Sequence, residues 1–232
     1  MNFAKLLFLK KSISKLALLL FAWNFFIPNA KADMESFIES SADYFTQTWI
    51  ETEGLNIINP PQIISLNPNS KILYGCGSRN NSKNIGGSSY CSFSNTIFLT
   101  NDQLKYFYDL KGESGIAYLM AHEFAHAVQH AVLSKLDNPA RELQADCIAG
   151  IFTTSMLNIS RSKMISLARL SLHLGSDVHG TGSQRAYALL TGLGVLEGTC
   201  FDEDMKKLAK NKVNNKSVMR LLNSRSGLKS ID

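Results

Sequence analysis

The sequence predicts an α+β domain, mainly helical, with a small sheet and one helix carrying His122-Glu123-Phe124-Ala125-His126. Apolar residues recur at three- and four-residue spacing over most of the chain, the period of a helix with one buried face. Short β-branched and aromatic runs, bounded by Asn, Pro, Gly and Ser, fall between Asn59 and Thr100. The 232 residues suit one domain, and no internal repeat is visible.

Lys5, Lys10, Lys11 and Lys15 precede the apolar run 16–27, then Pro28 and Ala30-Lys31-Ala32. A positive head, a short hydrophobic run and small residues at a cut site predict an export signal over 1–32, cleaved after Ala32. The protein is then periplasmic or secreted. An uncleaved anchor that also uses 3–9 is the alternative, although the run is short for a bilayer. From Asp33 to Gly54, Met34, Phe37, Ile38, Ala42, Phe45, Trp49 and Ile50 mark an amphipathic helix stopped by Gly54. Asn59-Pro60-Pro61 breaks the chain before strands at 63–66 and 71–74, a loop over 75–89 and a strand over 90–100. Asn101-Asp102 should cap a short helix to Leu110. The histidine-bearing helix should run 114–136 and bury Ala117, Met120, Ala121, Phe124, Val128, Ala131 and Val132 on one stripe. Asn138-Pro139 offers a cap and a first helical position for a helix over 139–157. Two more helical stretches, 160–174 and 184–193, flank a polar, Gly-rich loop over 175–182.

Residues four apart on a helix share a face, so the imidazoles of His122 and His126 can reach one metal ion. Glu123 sits about 100° around the helix, poorly placed to ligate but well placed to take a proton from a metal-bound water. Downstream, Glu142-Leu143-Gln144-Ala145-Asp146 again puts two carboxylates on one face. Glu142 can complete the His₂Glu set of catalytic zinc sites, leaving the fourth position to water. Asp146 can then hold the far ring nitrogen of a ligand histidine, most simply His122, and its replacement by Asn should weaken zinc without unfolding the protein. A structural zinc site would be rich in cysteine, and no cysteine lies near His122. A metzincin needs a glycine and a third histidine where Gln129 and Val132 stand. His130 reads as a solvent-facing or supporting group and His173 as a surface histidine.

All four cysteines lie in the mature part, an even number in an oxidising compartment. Cys76 and Cys91 flank a short Gly/Ser/Asn-rich loop, which makes a local bridge geometrically easy and leaves Cys147 for Cys200. The formal charge of +5 hides an asymmetry: 206–232 carries +7 and 33–205 carries −7. No aromatic residue interleaves the basic tail, so nucleic acid is not an expected partner. The tail is expected to be poorly ordered, with at most a weak contact to an anionic surface.

Taken together these runs resemble the neutral zinc metallopeptidases of bacteria, built on the gluzincin plan. Beyond His122–His126, the likeness rests on Glu142-Leu143-Gln144-Ala145-Asp146-Cys147 with Ala149-Gly150, and on His179-Gly180 with Gln184-Arg185. Cys76-Gly77, Tyr90-Cys91, and Trp49 with Pro60-Pro61 add to it. It covers roughly 35–205. Ala125 departs from the family's usual glycine, and Ser88-Ser89 from its Pro-Phe. The resemblance implies a zincin-like domain holding one zinc ion through His122, His126 and Glu142, with Glu123 as base, Asp146 behind the ligands, and a peptide or protein substrate. His179 and Arg185 are candidates to contact the substrate or its developing oxyanion. The strand containing Ile97-Phe98-Leu99 is a candidate edge for an extended peptide. Two rival readings are a catalytically silent zinc-binding assembly factor of the envelope and an amidase of cell-wall peptides. Retention of Glu123 argues against the silent factor, because metal binding alone needs no base.

Overall fold

A computed structural model describes residues 30–67, 71–72, 76, 83–84, 87–211 and 216–223, a mainly helical α+β arrangement with a small sheet. The first helix, α1 (Ala30–Glu51), buries Phe45 and Trp49 on the stripe its periodicity marks. Both rings pack on Phe124, at centroid distances of 4.7 and 5.7 Å. Burial of each such ring contributes ~1.5–3 kcal/mol. Past α1 the Trp49 indole donates to the Ile58 carbonyl at 2.8 Å and folds the following turn back on the helix.

The main sheet has the order β1 (Gln62–Leu66), β5 (Thr96–Thr100), β4 (Ser89–Cys91), while β2 (Lys71–Ile72) and β3 (Lys83–Asn84) form a separate pair. Strand β1 runs parallel to β5 with Ile63 opposite Ile97; β4 runs antiparallel with Tyr90 opposite Ile97. The single strand expected over 90–100 is therefore a hairpin. Asn95, at φ 47, reverses the chain; its side chain accepts from the Tyr90 hydroxyl at 2.9 Å and donates to the Asn59 carbonyl at 2.9 Å. The expected substrate edge changes with it. Every residue of β5 is buried between two neighbours, so its ladder has no free side, and among the described residues β4 is the edge strand on the side of the histidine helix.

Helix α2 (Asn101–Lys111) follows directly, with Thr100 at the cap position where Asn101-Asp102 was expected. Helix α3 (Glu113–Ala131) carries the histidines and is buried on nearly every face, with 14 of its 19 residues buried. The expected single stripe is too narrow because α1, α2, β4, β5 and α4 (Ala140–Met156) all pack on α3. The helix also stops short of Leu136: Leu133 adopts φ 55, and the Ser134 amide closes the end on the Gln129 carbonyl at 2.9 Å. The turn returns α4 along α3 in the opposite direction, so 126 comes opposite 142 and 122 opposite 146. Pro139 itself occupies the cap position of α4, and no Asn138 side-chain bond caps the helix.

Helix α5 (Arg161–Ser171) starts on a Ser160 cap, and α6 (Gly182–Gly192) on a capping box between Thr181 and Gln184. Helices α4 and α6 approach closely because Gly150 and Gly192 face each other's backbones. A Cβ on Gly150 would lie 2.7 Å from the Leu189 oxygen, and one on Gly192 would collide with the Cys147 carbonyl. Both expected disulfides are formed: Cys76–Cys91 and Cys147–Cys200, with Cα atoms 5.2 and 5.6 Å apart.

Part of the basic stretch expected to be poorly ordered is folded. Helix α7 (Asp202–Lys210) seats Met205 in the core, and α8 (Lys216–Asn223) buries Val218 and Leu222. The Arg169 guanidinium of α5 donates to the Leu221 and Leu222 carbonyls. High charge in this segment conceals apolar residues at helical spacing, with Lys206, Lys207 and Lys210 exposed. The expected signal segment lies almost wholly outside the described residues. Among those described, no helix is long and apolar enough to cross a membrane. The two disulfides point to an oxidising, exported environment.

Candidate metal centre

Antiparallel packing of α3 on α4 brings His122, His126 and Glu142 together, with one potential ligand atom from each within 4.8 Å of the others. Glu142 Oε2 lies 3.4 Å from His122 Nε2 and 3.4 Å from His126 Nε2. That oxygen is buried and has no hydrogen-bond partner. A buried carboxylate oxygen without a partner is strongly disfavoured unless something cationic meets it. A tetrahedral ion with bonds of about 2.0–2.1 Å separates its ligand atoms by about 3.3–3.4 Å. The three residues therefore fit a metal ion in donor type, and the two carboxylate-to-imidazole distances match its spacing.

Behind these candidate ligands lies a further layer of polar side chains. Asp146 is fully buried and accepts four hydrogen bonds: from His122 Nδ1 at 3.0 Å, the Tyr118 hydroxyl at 2.6 Å, and Arg185 Nε and Nη2 at 2.7 and 2.8 Å. Burial makes it a weaker acid, but the Arg185 guanidinium and the His122 contact hold the carboxyl well below the usual carboxylate range. Burial and the neighbouring Asp146 push the Tyr118 phenol far up, so it stays a proton donor. Arg185 Nη1 also donates to the Leu174 carbonyl at 2.9 Å and Nη2 to the Tyr118 oxygen at 3.1 Å. Arg185 is thus turned inward onto Asp146. Its expected role as an oxyanion or substrate contact is not what the geometry shows, because its donors are used beneath the site and it is 7% exposed.

On the other histidine of the cluster, His126 Nδ1 meets Gln129 Oε1 at 2.8 Å. Gln129 Nε2 donates to the Arg141 carbonyl and to Gln144 Oε1, and Gln144 Nε2 donates to the Cys200 carbonyl and Asp202 Oδ1. Tyr118, Gln129 and Gln144 escaped the sequence reading. Tyr118 precedes His122 by four residues and Gln129 follows His126 by three, spacings that place each beside its histidine on α3. No local signal foretells that Gln144 reaches Cys200, 56 residues on.

Electrostatics follow from this inventory. Burial alone would lower the basicity of His122, but its hydrogen bond to Asp146 and the nearby Glu142 carboxylate outweigh it and push the imidazole up to about 10. Burial raises Glu142, but the two facing imidazoles hold it well below the usual range. Glu123, Glu142 and Asp146 are all buried, against one buried guanidinium on Arg185. With His122 neutral, the form in which an imidazole ligates a metal, the formal excess is two negative charges, the amount a divalent cation neutralises.

Glu123 is 6% exposed, beside His122 on α3, and favours the charged form of that histidine. Over Glu142 hangs the loop between α5 and α6. There His179 Nδ1 is fixed by Ser176 Oγ at 2.8 Å, while Nε2 stands 3.7 Å from Glu142 Oε2 with the side chain 44% exposed. Gly180, at φ 86 and pressed against Leu143, lets the loop descend that far. His179 lies outside the three-residue cluster, at its open side. His130 is exposed with its ring 5.9 Å from Tyr90 of β4, and His173 is exposed just past α5. No protein-family model, curated protein or solved structure matches this chain, so the geometry carries its functional reading.

Proposed function

We propose that the protein is a zinc-dependent peptidase of the exported compartment, holding one zinc ion through His122, His126 and Glu142. The observation that carries this reading is the partnerless Glu142 oxygen, 3.4 Å from both imidazole nitrogens. Histidine nitrogens with a carboxylate are the donor set that suits zinc, and three protein ligands leave a position open. When bound, zinc supplies Lewis acidity, making a water easier to deprotonate and a peptide carbonyl easier to attack. Glu123 is the base: its carboxylate takes a proton from the attacking water and gives it to the departing amine. Asp146, steadied by Arg185 and Tyr118, keeps a proton on His122 Nδ1, which leaves Nε2 free to ligate. His179, with Nδ1 fixed by Ser176 and Nε2 facing the cluster, is placed to donate to the carbonyl oxygen as negative charge develops. Edge strand β4 offers the ladder along which an extended peptide lies.

Metal analysis of the purified protein, with an unbiased peptide-library digest, tests the reading. Wild type should hold one zinc and cleave peptide bonds. Glu123→Gln should hold zinc and lose at least about 100-fold in rate. His126→Ala should lose the metal. Stoichiometric zinc on His126→Ala would refute the ligand set, and equal cleavage by Glu123→Gln would refute the mechanism. Zinc binding with no cleavage of any peptide would instead favour the silent zinc-binding factor.

A further inference from the structure

Building on that metal reading, we infer that Gln129 is the positioning residue of His126, holding its ring with a bare Nε2 toward the metal, and that Gln144 positions Gln129 in turn. The direction of every bond in the chain follows from groups that cannot exchange roles. The carbonyl oxygens of Arg141 and Cys200 only accept, so the amide nitrogens of Gln129 and Gln144 must face them, at 2.8 and 2.9 Å. Gln144 Oε1 is then left to accept from Gln129 Nε2 at 3.0 Å. Gln129 Oε1 is left for His126 Nδ1 at 2.8 Å, and because an amide oxygen only accepts, Nδ1 carries the proton. His126 Nε2, 3.4 Å from Glu142 Oε2, keeps its lone pair.

Asp202 Oδ1 accepts the remaining Gln144 N–H at 2.8 Å, so both hydrogens of each amide nitrogen are used. Gln129 is 1% exposed and Gln144 fully buried, which keeps water from replacing these partners. The two ligand histidines are therefore oriented by different chemistry. A carboxylate serves His122, whereas a neutral amide serves His126. The orientation of that amide is set by the Arg141 carbonyl and, through Gln144, by that of Cys200, where the bridge to Cys147 ties the segment ahead of α7 to α4.

The test measures Zn²⁺ affinity of the full chain by competition with a chromophoric chelator, together with the visible absorption of the Co²⁺-loaded protein. Wild type, Gln129→Met, Gln144→Met and the double variant are compared. Gln129→Met should weaken Zn²⁺ about 10–100-fold and alter the Co²⁺ bands while circular dichroism stays unchanged. Gln144→Met should weaken Zn²⁺ on its own and add nothing in the Gln129→Met background, because it acts only through Gln129. Wild-type affinity and bands in Gln129→Met would overturn the inference, as would an equal effect of Gln144→Met in both backgrounds. Should Gln129→Met not fold, Gln144→Met decides: weaker Zn²⁺ binding with altered Co²⁺ bands supports the chain of contacts, and wild-type affinity and bands overturn it. A wild-type protein that binds neither ion would refute the metal reading itself, whereas normal wild-type binding with indifferent Gln129 variants refutes only this inference.

Discussion

Asp146 and Arg185 meet through two hydrogen bonds, at 2.7 and 2.8 Å, although they lie 39 residues apart on α4 and α6. Their encounter depends on the glycine crossing of those helices. The carboxylate that serves His122 is therefore also half of a buried ion pair.

Asp146→Asn should accordingly do more than weaken zinc. On spacing alone, the substitution was expected to keep the fold. With Arg185 buried opposite, removing the charge leaves a guanidinium without its counterion, a loss of about 3–5 kcal/mol. Denaturant unfolding in a chelator isolates this from the metal. The expected result is a clear drop in midpoint for Asp146→Asn and a comparable one for Arg185→Met. An apo midpoint equal to wild type in both variants would show that the pair is not coupled to the fold.

Stability of the metal-free protein should fall on the alkaline side. His122 is raised to about 10 in the folded state, so folding favours its protonated form. That contribution is fully present below the unfolded value of about 6.5 and is lost as pH rises toward 10. Asp146 has the opposite sign: its folded value is depressed, so its contribution is present above about 3.9 and lost as pH falls below that. Melting temperature measured with a chelator should thus decline from about pH 6.5 to 10. With stoichiometric zinc the ion replaces the proton on His122, and the decline should disappear. Identical alkaline profiles with and without zinc would count against His122 as a ligand.

Gly192→Ala tests the helix crossing. The added methyl would collide with the Cys147 carbonyl, which is backbone and cannot turn aside. Overpacking of this kind destabilises by about 3 kcal/mol or more, a fall in melting temperature on the order of 6–12 °C at this size. Gly194→Ala is the control for backbone conformation, since it has φ 71 and open space around it. It should carry only the strain of a positive φ, roughly 1–2 kcal/mol. A Gly192→Ala protein as stable as that control would mean that α4 and α6 can separate without penalty.

Helical period and residue chemistry suffice to place His122, Glu123 and His126 on one helix and Glu142 and Asp146 on the next, since each pair lies within one turn of its own helix. Cysteine count and loop length likewise point to Cys76–Cys91 and Cys147–Cys200. What the chain alone leaves undetermined are relations between elements. Helix α3 proved buried all around because five other elements choose to pack on it, which no stripe within its own sequence specifies. Arg185 looks like a free cation at the end of a Gly-rich loop. Only the α4–α6 crossing at Gly150 and Gly192 turns it inward onto Asp146. Gln129 and Gln144 look like ordinary polar helix residues until burial removes water and leaves the Arg141 and Cys200 carbonyls as their acceptors. The lysine-rich end of the chain hides Met205, Val218 and Leu222, whose partners lie on earlier helices. Local spacing decides which side chains share a face. Tertiary packing decides which of them lose water, and a polar group that loses water must find a partner elsewhere in the fold.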